Sequence, residues 1–118
     1  MNIFELYVDN KIVSNNIKLA DNFFTRLKGL MFTKELLPQD GLVINPCNSI
    51  HMCFMNYPLD ILFVDKNSNI CATLENIKPW RISKIYFDAE YVIELPVGTI
   101  STNNIKKNQK ISLKAIDN

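Results

Sequence analysis

Residues Leu59-Asp60-Ile61-Leu62-Phe63-Val64 are apolar on both faces of any strand they form, with a single acid among them. A strand with one face in water alternates apolar and polar residues, so this run needs cover on both sides and a partner along each edge. The chain around it must build a sheet, and this strand belongs in its interior. Asp60 needs a partner there, because a lone buried charge shifts its pKa and neutralises.

The flanking segments supply the sheet. Ile3 to Val8 and Lys11 to Ile17 are apolar-rich runs separated by Asp9-Asn10, a pair suited to a tight reversal, which predicts an amino-terminal hairpin. From Asp21 the period lengthens: Leu19, Phe23, Leu27 and Leu30 recur at helical spacing, with Asp21 as the N-cap and Gly29 as the C-cap of about two turns. Lys34 to Leu37 is a candidate further helical turn before Pro38, followed by a strand from Gly41 to Asn45. Ser49 to Met55, Ile70 to Leu74, Ala89 to Leu95 and Ile111 to Leu113 read as further strands. Lys66-Asn67-Ser68-Asn69 is a hairpin loop, Lys78-Pro79-Trp80-Arg81 a longer loop, and Pro96-Val97-Gly98 a turn. The fold class is α+β, mostly β: an antiparallel, partly barrel-like sheet with one short helix packed on it. No linker or repeat divides residues 1–118, which read as one domain.

Composition narrows the function classes. Thirteen Lys and Arg against twelve Asp and Glu give a net charge of +1, without the basic stripe that phosphate neutralisation requires. Lys106, Lys107, Lys110 and Lys114 read as a solvated surface, and no nucleic-acid partner is expected. No apolar run approaches the roughly 20 residues that cross a bilayer, and the amino end has no basic flank or cleavage site. Neither a membrane partner nor export is expected. Three cysteines, Cys47, Cys53 and Cys71, form an odd set without a CxxC pair, which fits reduced thiols in a bacterial cytoplasm. Fifteen Asn, fifteen Ile and eleven Lys against two Arg and three Gly indicate AT-rich drift. The surviving Arg26, Arg81, Gly29, Gly41 and Gly98 are then candidates for positions that require a planar guanidinium or a backbone without Cβ.

Three constellations could carry chemistry. Read as a strand, Cys47 to Met55 places His51, Cys53 and Met55 on one face, a soft donor set for Cu(I) or Zn(II) with Cys47 as a fourth ligand. No standard zinc spacing is present, however, and no cofactor is expected. Arg26, Arg81, Asp60 and Glu94 form a second set, either structural ion pairs or an anion pocket walled by Trp80. Third, His51 with an acidic residue could serve a hydrolase or transferase as base and orienting acid. Phosphate-loop, GxSxG and HExxH patterns do not occur.

Taken in order, the motifs resemble a bacterial and archaeal family, the domain of unknown function numbered one hundred and ninety-two. Arg26-Leu27-Lys28-Gly29-Leu30-Met31 resembles its Arg-x-x-Gly-Leu-Met signature, and Ile50-His51-x-x-Phe54-Met55 with Pro58-Leu59-Asp60-Ile61-x-Phe63-x-Asp65 its central block. Lys78-Pro79-Trp80-Arg81 and Val92-Ile93-Glu94-Leu95-Pro96-x-Gly98 resemble two later blocks, so the likeness runs from about residue 20 to 113. It implies a compact, mainly β domain and carries no activity with it. Some members resemble the His-x-x-Phe-Met form and others have Trp-Met there, and the three cysteines lie outside the pattern.

The expectation is a small ligand-binding domain in which Arg26, His51, Met55, Trp80 and Arg81 receive a small anionic ligand or a protein terminus. Gly29, Asp60, Glu94 and Gly98 would shape and orient that site. Oligomeric state is left open by the sequence.

Overall fold

A computed structural model of the chain describes residues 3–31 and 33–116, apart from the side chains of Phe23, Phe24 and Leu27. Its elements are β1 (Ile3–Val8), β2 (Lys11–Ala20), α1 (Phe23–Lys28), β3 (Asp40–Ile44), β4 (Leu59–Asp65), β5 (Ile70–Ile77), β6 (Ala89–Pro96), α2 (Thr99–Thr102) and β7 (Ile111–Ile116).

The expected hairpin forms because Asp9 and Asn10 both take positive φ, 48° and 68°, the mirror-image turn whose twist matches that of paired strands. β2 runs on three residues past the expected Ile17, and its extension pairs with β3 in parallel, Ile17 opposite Gly41 and Ala20 opposite Ile44. The sheet is therefore not wholly antiparallel. Helix α1 and residues 29–39 return the chain to the start of β3, where Asn16 Nδ2 donates to Asp40 Oδ1 at 2.6 Å. Gly41 is packed at this junction: a Cβ there would lie 2.5 Å from Ile17 Cδ1. The helix cap sits one residue later than expected, on Asn22, whose side chain accepts from Thr25 N while Thr25 Oγ1 accepts from Asn22 N. Gly29 ends the helix as expected. Phe23 and Leu27, two of the apolar positions that suggested it, lie outside the described side chains. Residues 34–37 make no helical turn.

The seven strands form one sheet in the order β5-β4-β6-β3-β2-β1-β7. β4 lies inside, paired on both edges. Its alternate residues enter two cores: Leu62 and Val64 join Leu6, Ile17, Ile93, Leu95 and Ile100, whereas Leu59, Ile61 and Phe63 join Ile44, Ile50, Met52, Met55 and Val92. That double burial is the reason its sequence does not alternate. The sheet curls without closing, but its outer strands meet at one end: Asn69 bridges Lys110, and Ile70 N donates to Gln109 O at 2.9 Å.

Ser49 to Met55 is not a strand. His51 makes one bridge, to Ile82, and the chain then turns through Cys53 and Phe54, the latter at φ 63°. Ile50, Met52 and Met55 point inward while His51 and Phe54 are exposed, so no two-residue alternation survives. Residues 80–86 run beside this segment, with Met52 N donating to Arg81 O, Trp80 N to Met52 O, Ser83 N to Ile50 O and Tyr86 N to Asn48 O. Together the two segments cover the second core.

Candidate functional site

Asp60 and Glu94 interrupt apolar strands for different reasons. In the β4–β6 pairing Asp60 stands opposite Leu95 and Glu94 opposite Ile61, which sets the two carboxyls on opposite faces of the sheet. Asp60 Oδ2 accepts from Gly98 N at 3.0 Å and Ile100 N at 2.9 Å, and Oδ1 from Asn76 N at 2.9 Å. Its partners are backbone N–H groups and no guanidinium. Asp60 is thus the cap of α2, supplied from a remote strand, for which Gly98 has no side chain and takes φ 95°.

Glu94 is buried on the other face, and its Oε1 has no hydrogen-bond partner. Burial pushes its carboxyl up to about 8, so at neutral pH it carries a proton. It opens on a cavity of about 50 Å³ between α1, β3 and the 47–55 segment. Arg26, Lys28 and His51 bring the polar groups to this cavity, and Leu30, Ile44 and Met55 are among its apolar walls. Gly29 borders it with φ 51° and ψ −126°, a backbone that β-carbons oppose; its Cβ would lie 3.7 Å from Glu94 Oε1.

The rim groups are held by local bonds. Arg26 Nη1 donates to Asp21 O at 3.0 Å, which anchors the guanidinium without neutralising it. His51 Nδ1 accepts from Cys53 N at 3.3 Å. The neutral ring with that acceptor carries its proton on Nε2 and presents a donor there, not a base. Cys47 donates its thiol to Ser49 O at 2.9 Å, and burial pushes its pKa up, so it is a neutral thiol.

Of the five residues expected to bind ligand, Arg26, His51 and Met55 meet at this cavity and Trp80 and Arg81 do not. Trp80, at φ 72°, is exposed and stacks edge-on against Phe54 with centroids 4.9 Å apart; Arg81 is exposed beside it. The two arginines therefore do not share a site. Cys53 is also absent from the cavity lining, since residues 51–54 turn. Among the described residues no group of three or more His, Cys, Asp or Glu side chains is placed to hold a metal ion. Lys28, next to Gly29, and Ser49, two residues from both Cys47 and His51, also line the cavity without any signal in the sequence that marks them. Three roomier grooves, of about 860, 710 and 660 Å³, are lined elsewhere and contain neither Glu94 nor Arg26.

A curled, mainly β sheet with an unpartnered buried acid beneath a short helix defines a class of small β domain. The chain belongs to the DUF192 family, described as uncharacterized ACR, whose model matches residues 5–113. It is 34% identical over 108 residues to a UPF0127 protein of Thermococcus sibiricus, covering 86% of this chain and 68% of that protein. It is 31% identical over 107 residues to a UPF0127 protein of Pyrococcus furiosus, covering 86% and 89%. Both relatives are archaeal. The crystal structure of a protein of unknown function from Novosphingobium aromaticivorans shares the fold, with a TM-score of 0.80, 24% identity, and 92% and 83% coverage. No described helix is long and apolar enough to cross a membrane.

Proposed function

We propose that this chain is a binding domain whose cavity beneath α1 receives a small anionic group, a carboxylate above all. The observation that carries the reading is Glu94, whose buried Oε1 has no hydrogen-bond partner, on the wall of a cavity that Arg26, Lys28 and His51 also line. A protonated acid donates one hydrogen bond to an incoming carboxylate, and the guanidinium and imidazole Nε2–H supply further donors. Buried polar groups are satisfied in nearly all folded proteins, and a carboxylate seated in the cavity would give Glu94 a hydrogen-bond partner. The setting assumed is a reducing cytosol, with which Cys47, Cys53 and Cys71 as free thiols are consistent.

The test is titration of the protein with acetate, followed by amide chemical shifts. Saturable shifts at residues 26–31, 44 and 51–55, weakened about tenfold or more in Arg26→Gln, are the expected outcome. Shifts that do not saturate, or that survive Arg26→Gln unchanged, contradict it. A second reading, acid catalysis in a hydrolase or transferase, draws on the same raised Glu94 pKa beside His51. Turnover of small esters that is lost in both Glu94→Gln and His51→Gln would favour it.

A further inference from the structure

Half of the exposed large apolar side chains among the described residues fall within ten positions: Trp80, Ile82, Ile85 and Phe87, of a set completed by Ile12, Leu37, Phe54 and Val97. Phe54 stacks on Trp80 and adds a fifth to the strip. Ile82 is 75% exposed and Phe87 85%, well beyond what scattered surface residues need. The same ten positions hold Lys78, Arg81 and Lys84 and no acid. Around Trp80 and Ile82 the strip is thus both apolar and cationic, whereas Phe87 at its far end lines a separate groove with Asp88 and Glu90, and the function proposed above leaves the strip unused.

Its position relative to the cavity is the second observation. His51 and Met55 line the cavity, while Phe54, between them in the chain, stacks on the strip, and Ile82 is the bridge partner of His51. One turn of chain joins the two surfaces. The cavity itself is small: at about 50 Å³ it encloses roughly three or four non-hydrogen atoms, the size of a carboxylate, and leaves the rest of any ligand outside. The amide N–H groups of Lys84 and Ile85 meet no carbonyl among the described residues, so this segment also offers main-chain donors.

We infer that the site recognises the carboxyl-terminal end of another polypeptide, with the terminal carboxylate in the cavity and the preceding apolar side chains laid on Phe54, Trp80 and Ile82. This rests on the carboxylate reading and deepens it by naming the class of ligand. An anionic end suits the cationic rim, an apolar body suits the strip, and a peptide backbone uses the open amides that an acyl chain would leave unmet. The raised pKa of Glu94 adds a dependence on pH, since its ionisation would set a second anion against the carboxylate. The charged or titratable groups that share the cavity with it are Arg26, Lys28, Cys47 and His51.

Trp80 is the single tryptophan and reports directly on cover of the strip. The experiment titrates the intact chain with acetylated tetrapeptides ending in pairs drawn from Leu, Ile, Val and Phe, each as free acid and as amide, beside acetate and decanoate. Trp80 emission follows the peptides and decanoate, and amide chemical shifts follow acetate. Expected are a blue shift of Trp80 emission, free acids bound about tenfold tighter than their amides and than acetate, and roughly fivefold weaker peptide binding in Ile82→Ser. Acetate binding with no gain for any peptide overturns the inference and leaves the carboxylate reading intact. Amides bound as tightly as acids, or decanoate bound more tightly than every peptide, also overturn it. Failure of acetate and peptides alike overturns both readings.

Discussion

Glu94 is where the chemistry of one residue sets a property of the protein. Its carboxyl is raised from 4.5 to about 8 by burial. Below 4.5 the folded and unfolded chains both hold the proton, and this group leaves stability unchanged. Between 4.5 and 8 the folded chain keeps a proton that the unfolded chain releases, so stability falls as pH rises, by up to about 1.4 kcal/mol per pH unit. Above 8 the loss levels off. Glu94→Gln removes the proton from both states, and urea unfolding of wild type and variant should converge at pH 4.5 and separate in favour of the variant by roughly 2 to 4 kcal/mol at pH 8. Parallel pH profiles would show that Glu94 ionises normally in the fold. The need for a partner at Asp60 was legible from its apolar surroundings, but the partner was not. Three backbone N–H groups from Asn76, Gly98 and Ile100 converge on it only once the sheet has formed.

At the scale of elements, what was local could be read and what depended on pairing could not. The β1–β2 hairpin and the interior place of β4 followed from two turn residues and one apolar run. The parallel β2–β3 pair was hidden because it depends on where the crossover through α1 returns the chain. Cys47 to Met55 misled because Phe54 adopts a positive φ that nothing about phenylalanine announces, and the turn takes Cys53 away from the cavity that Cys47, His51 and Met55 line. Arg26, His51 and Met55, three of the five residues expected to share a site, line one cavity while Trp80 and Arg81 do not, and of the two acids expected to orient that site strand register turns only Glu94 toward α1 and sends Asp60 toward α2. The capping of α2 by Asp60 makes a prediction at this scale. Asp60→Ala strands three donors at once and should destabilise the protein by roughly 4 kcal/mol in urea unfolding. A loss under about 1 kcal/mol would mean that α2 is held by its packing alone.

Across the whole molecule, one sheet separates two cores, and each core keeps one buried acid. The acid on the α2 side is satisfied and organises a turn. The acid on the α1 side is unsatisfied and faces a cavity beside an apolar, cationic strip. That asymmetry, a structural carboxyl on one face and an open one on the other, is the central claim. The measurement that tests it most directly is the affinity for acetate at pH 7 and pH 9, in wild type and in Glu94→Gln. Protonated Glu94 as the floor of the site predicts that wild-type affinity falls several-fold between the two pH values while that of Glu94→Gln stays level. Equal wild-type affinity at both, or the same fall in the variant, would contradict it.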